Sequence, residues 1–155
     1  SPNIAINDSR AWLLNNPWGE QIAEMIKGKY VHVPDTTAIY ARYWDNKYRI
    51  EATVQLEELL ETTMKESTFS KVNQPVLLLY YFKDEEHQDP VVKVSAMKRM
   101  FLQLGTPDSL KRAIAIPNAG DHVIGSYIKS KDFRSVETET DKFAEQILHL
   151  QPIPH

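Results

Sequence analysis

The rhythm of apolar and polar positions changes once along the chain. Up to about residue 70, apolar residues recur at helical spacing and no run of β-branched residues interrupts them. Ile22, Met25 and Ile26 form an apolar face that Gly28 ends, behind Asn16-Pro17, a pair suited to opening a helix with Pro at its first position. A longer helix is predicted from Asn46 to Glu66, with Ile50, Val54, Leu59, Leu60 and Met64 turned inward. From about Val72 the texture becomes strand, helix, strand, helix. Pro75 to Phe82 is one continuous apolar run of strand length, as suits a parallel strand buried on both faces. Pro90 to Leu104 sets Val94, Met97, Phe101 and Leu104 at helical spacing, with Gly105 as a left-handed stop. Arg112 to Pro117 reads as a second strand. Lys131 to Leu148 reads as a final helix with Phe133, Val136, Phe143 and Ile147 on one face.

The expected class is therefore α/β, a parallel sheet of two strands with flanking helices, preceded by a helical region. The division falls between residues 1–70 and 71–155. Two strands buried on both faces cannot stand alone, because their outer edges present unpaired N–H and C=O groups. Either a missing part of the same protein or a second copy of the chain is expected to pair with them, the second case giving a homodimer through exposed strands. Ser1-Pro2-Asn3 reads as the interior of a longer protein.

Composition narrows the function classes. The chain has 155 residues, with 18 Lys and Arg against 21 Asp and Glu, a formal charge of −3. Basic residues are neither in excess nor clustered, so neither nucleic acid nor a membrane surface is an expected partner. No stretch approaches the roughly 20 apolar residues of a membrane-spanning helix, and no signal peptide is visible; a soluble, cytoplasmic chain is the expectation. There is no Cys, which removes disulfides, thiolate zinc sites and Cys nucleophiles.

In open α/β sheets, reactive groups gather at the carboxyl ends of strands. Lys83-Asp-Glu-Glu-His-Gln-Asp89 follows the first strand, and Asn118-Ala-Gly-Asp-His122 follows the second. Asp89 and His122 then project from one rim, and an acid that orients an imidazole is two-thirds of a nucleophilic triad. Other readings stay open. Asp89 before Pro90 also looks like a helix N-cap, Asp84, Glu85 and Glu86 like a solvated loop, and His122 like a surface residue. His87 with Asp84, Asp89 and His122 would supply nitrogen and oxygen ligands for a metal, though without helical or Cys-x-x-Cys spacing. His32, His149 and His155 have no constellation around them. The aromatic residues of the first region read as helix-packing core before substrate wall. No Ser lies in Gly-x-Ser-x-Gly, and Ser126, just past His122, sits on the wrong element for a nucleophile elbow.

At these residues the sequence resembles the carboxyl half of an α/β-hydrolase. Pro75-Val76-Leu77-Leu78-Leu79 followed by Asp89-Pro90-Val91-Val92 resembles the family's penultimate strand and acid loop. Ala119-Gly120-Asp121-His122-Val123 resembles the last-strand loop that carries the triad His. Ser1-Pro2-Asn3 is similar to the end of the strand after the nucleophile helix, and residues up to 70 then match the cap by position. The resemblance implies an incomplete α/β-hydrolase-type sheet and acyl hydrolysis of a carboxylic ester, thioester or amide. It implies Asp89 as the acid, with Asp84 as the alternative, and His122 as the base. It implies a Ser nucleophile and an oxyanion hole from the missing N-terminal half, no cofactor, and no activity in this chain by itself.

Overall fold

Among the described residues, four helical elements and two three-residue strands occupy positions 11–63, and two five-residue strands with helices before, between and after them follow. The computed structural model describes residues 1–35, 37–151 and 153. It is mixed helix and strand, with two sheets of two strands each among the described residues. Its elements form two units, Asp8–Thr63 and a second made of Ser1–Asn7 with Met64–His155. The boundaries differ from the expected division at residue 70. Ile4 and Met64 both pack against the core of the strand-bearing unit, so the chain ends flanking the helical unit belong to that core.

In the helical unit, a 3-10 turn at Ala11–Asn15 precedes helix α1, Gly19–Lys27. Pro17 does not open that helix; the chain reverses at Trp18, whose φ is 72°, and α1 starts one residue later. Gly28 ends it as expected, with φ 81° and its N–H on the Glu24 carbonyl at 2.8 Å. Ile22, Met25 and Ile26 are not core: all three are exposed, Met25 at 86%. Strand β1, Tyr30–His32, pairs antiparallel with β2, Lys47–Arg49. Between them lies helix α2, Ala38–Tyr43, capped by Thr37 Oγ1, which accepts the Tyr40 N–H. The predicted helix from Asn46 to Glu66 is thus three elements: β2, then helix α3 at Ile50–Thr63, then helix α4 at Glu66–Phe69. Ile50 and Leu60 are buried as expected, whereas Leu59 is exposed.

In the strand-bearing unit, strand β3, Val76–Tyr80, leads to helix α5, Val94–Gln103, and then to strand β4, Lys111–Ala115. β3 and β4 are parallel neighbours, in register from Val76 opposite Lys111 to Tyr80 opposite Ala115. Side chains alternate across a strand, and both faces of β3 are packed. Leu78 and Tyr80 join Phe69, Val92, Met97 and Met100 on one side. Leu79 and Tyr81 lie against Ile116, Ala119 and Ile124 on the other. Two-sided burial explains why the strand reads as an unbroken apolar run. Helix α6, Phe133–Gln146, is capped by Asp132, whose carboxylate accepts the Ser135 N–H, and it buries Phe143.

Two expectations at the ends of α5 need correction. The helix does not begin at Pro90, because residues 91–93 are taken by the N-terminal segment. The Asn7 N–H donates to the Val91 carbonyl at 2.8 Å, and the Lys93 N–H to the Ala5 carbonyl at 2.9 Å. Gly105 is not left-handed. Glycine is required there for space, since a Cβ would collide with the Ser70 carbonyl oxygen and sit 2.7 Å from Asn73 Oδ1.

Candidate functional site

Five residues separate Lys83 from Asp89, yet Asp89 stays at the tip of β3 because the excursion is zipped at its base. Phe82 bridges Gln88 in antiparallel fashion, the Lys83 N–H donates to the His87 carbonyl at 2.8 Å, and the Asp89 N–H donates to the Tyr81 carbonyl at 3.1 Å. The intervening residues form an exposed tip. There Asp84 Oδ1 accepts the His87 and Glu86 N–H groups at 2.8 and 3.0 Å and lies 2.7 Å from His87 Nδ1. The bond to His87 holds the Asp84 carboxyl below its usual range. The tip is a self-contained turn.

Asp89 is wholly buried, at 0% exposure. A carboxylate without water carries a penalty of several kcal/mol unless its lone pairs are met, and here they are. Oδ1 accepts the Val91 N–H at 2.9 Å and the Val92 N–H at 3.0 Å, while Oδ2 lies 2.8 Å from His122 Nδ1. Burial pushes this carboxyl's pKa up. The bonds from His122, Val92 and Val91 outweigh burial, and the net shift is downward. Asp89 therefore does not cap α5. It closes a local turn onto residues two and three further on, the arrangement Asp favours at turns.

The second loop continues β4. The Ile116 N–H donates to the Tyr80 carbonyl at 2.8 Å, and the chain then turns at Gly120, whose φ is 70°. Asp121 Oδ1 accepts the Val123 N–H at 2.8 Å, and the Ile124 N–H reaches the His122 carbonyl at 3.0 Å. Ile116, Ala119 and Ile124 are buried beneath this turn, and the Lys131 N–H closes it on the Ala119 carbonyl at 2.9 Å. His122 is thus lifted on a packed base with 25% of its side chain exposed.

An ionised carboxylate only accepts hydrogen bonds, so Nδ1 of His122 must donate to Asp89. In the neutral ring, the lone pair then resides on Nε2. The arrangement holds one imidazole tautomer and leaves Nε2 as the ring nitrogen that can accept a hydrogen bond.

Of the candidate residues, Asp89 and His122 meet, while Asp84 meets His87. The four-residue metal reading divides into these two pairs. Among the described residues, the one trio of ligand-type side chains with converging donor atoms is Glu20, Glu24 and Glu51, in the helical unit. Ser126 spends its Oγ on the Ile128 N–H at 3.3 Å, within the loop after β4. His32 lies in β1, and His149 takes a left-handed conformation with φ 55°. His155 lies outside the described residues. The roles of Val91 and Val92 as main-chain donors escape sequence reading, since nothing in a Val side chain announces them. No protein family, no curated protein and no solved structure matches the chain.

Proposed function

We propose that this chain supplies the acid and base of a serine hydrolase with an α/β-hydrolase-type core, the helical unit being its cap. One observation carries the reading: a buried carboxylate and a part-exposed imidazole, 2.8 Å apart, on loops that follow adjacent parallel strands in the order acid, then base. The nucleophile is a Ser on a strand-to-helix elbow in an upstream segment, whose strands pair with the edges of the β3–β4 sheet. His122 Nε2 takes the proton as the Ser Oγ attacks the carbonyl carbon, and returns it to the leaving alcohol, thiol or amine as the tetrahedral intermediate collapses. The same nitrogen then takes a proton from water, which attacks the acyl-enzyme, releases the carboxylic acid and restores the Ser hydroxyl. Asp89 holds the tautomer and stabilises the imidazolium throughout. Backbone N–H groups of the upstream segment form the oxyanion hole, and no cofactor enters.

The test joins the chain to an upstream segment carrying a Gly-x-Ser-x-Gly elbow and measures nitrophenyl ester hydrolysis. Activity that falls by about 10⁶-fold in His122→Ala supports the reading; activity that survives the substitution contradicts it.

A second reading is a non-catalytic module that self-associates. It is favoured by the fact that β3 and β4 each have a single ladder neighbour among the described residues. Sedimentation of the chain alone tests that reading, which requires a dimer that persists on dilution; a chain that stays monomeric contradicts it.

A further inference from the structure

We propose that Tyr81 is the positioning residue that keeps the acid loop and the base loop in one register, an inference that rests on the reading of Asp89 and His122 above. Tyr81 is the first residue past β3. Its carbonyl accepts the Asp89 N–H at 3.1 Å, which fixes the main chain of the acid. Its side chain packs against the cluster of Ile116, Ala119 and Ile124, the base on which the His122 turn is built. One residue therefore holds the carboxylate through its backbone and the imidazole's support through its ring. Leu79 and Ile114 lean on the same cluster, but their main-chain groups belong to the β3–β4 ladder and not to the acid loop.

The physical requirement is tight. A hydrogen bond weakens steeply once its length or angle drifts, whereas a packed cluster that loses a ring relaxes only partly into the space left behind. Losing the Tyr81 ring lets the floor under Ala119 and Ile124 settle while Asp89 stays tied to β3, so the two loops shift relative to each other. Phe keeps the ring volume and should keep the register. Leu keeps part of it.

The test follows the His122 Nδ1–H by NMR in the whole chain and measures its exchange with water. Tyr81→Ala is expected to speed that exchange about tenfold, by allowing local opening of the pair. Tyr81→Leu should speed it less, and serves alone if the Ala variant does not fold. Tyr81→Phe should exchange at the wild-type rate. Val136→Ala trims the same cluster from α6 by a smaller group and should speed exchange less than Tyr81→Ala. The inference is overturned if Tyr81→Leu and Tyr81→Ala exchange at the wild-type rate, if Tyr81→Phe matches Tyr81→Ala, or if Val136→Ala accelerates exchange equally. Asp89→Asn separates the two levels. If it abolishes the protected signal, the pair stands and the Tyr81 variants decide; if it leaves the signal intact, the pairing itself fails.

Discussion

His122 Nδ1 lies 2.8 Å from Asp89 Oδ2, although 33 positions separate the two residues. Two local devices bring them together. The zipped base of the loop after Tyr81 returns Asp89 to the tip of β3, and the turn at Gly120 raises His122 beside it.

Removing the charge of Asp89 should be costly and removing that of Asp84 should not. Asp89→Asn weakens bonds to three donors in a buried setting, where a hydrogen bond to a charged group contributes about 1.5–3 kcal/mol. Urea unfolding is expected to show a loss of about 2 kcal/mol for this variant. Asp84→Asn, on an exposed tip, should leave the unfolding midpoint unmoved.

Acid should act through Asp89 with a defined sign. Burial raises its pKa, but the bonds from His122, Val92 and Val91 bring it below the ordinary carboxylate value, so the unfolded chain binds this proton first as pH drops. Its contribution is complete above the unfolded value of about 4 and is lost as pH falls through the folded value. The stability gap between the parent chain and Asp89→Asn, measured by urea midpoints from about pH 6 to pH 2, should therefore narrow towards acid. A gap independent of pH would argue against a buried ionised carboxylate.

Two glycines should fail for different reasons. Gly120 has φ 70°, and its added Cβ would sit 3.4 Å from the Lys131 side chain, an ordinary contact. Gly120→Ala therefore suffers mainly the left-handed penalty of about 1 kcal/mol. Gly105→Ala meets the Ser70 carbonyl and should lose about 2 kcal/mol or more. Thermal melts of the pair should rank them in that order.

Met97, buried among Leu78, Val92 and Met100, anchors one face of the sheet. Met97→Ala is expected to lose about 2–5 kcal/mol by leaving a cavity. Met25→Ala on the exposed face of α1 should change little, and the contrast is readable in one denaturant series.

What the sequence made legible follows from how strongly each signal depends on local pattern. The run at Pro75–Phe82 predicted β3 because burial on two faces leaves no polar position. The apolar spacing of Val94, Met97 and Leu104 marked the buried side of α5, with Met100 added and Phe101 half-buried. The pairing of Tyr30–His32 with Lys47–Arg49 was hidden, because three-residue strands with mostly exposed side chains carry no alternation to read. Ile22, Met25 and Ile26 have helical periodicity, but periodicity marks an apolar face without saying that anything covers it. Asp89-Pro90 misled as a helix start because an Asp turn and an Asp cap share residue preferences. The tertiary pairing of 5–7 with 91–93 decided between them.

The most direct test of the central claim compares the two candidate acids in the chain joined to an elbow-bearing upstream segment. Asp89→Asn should lower kcat for nitrophenyl ester hydrolysis by about 10⁴-fold, by allowing the wrong imidazole tautomer, while Asp84→Asn keeps the parent rate. Full activity in Asp89→Asn, or a collapse in Asp84→Asn instead, would contradict the assignment of Asp89 as the partner of His122 in catalysis.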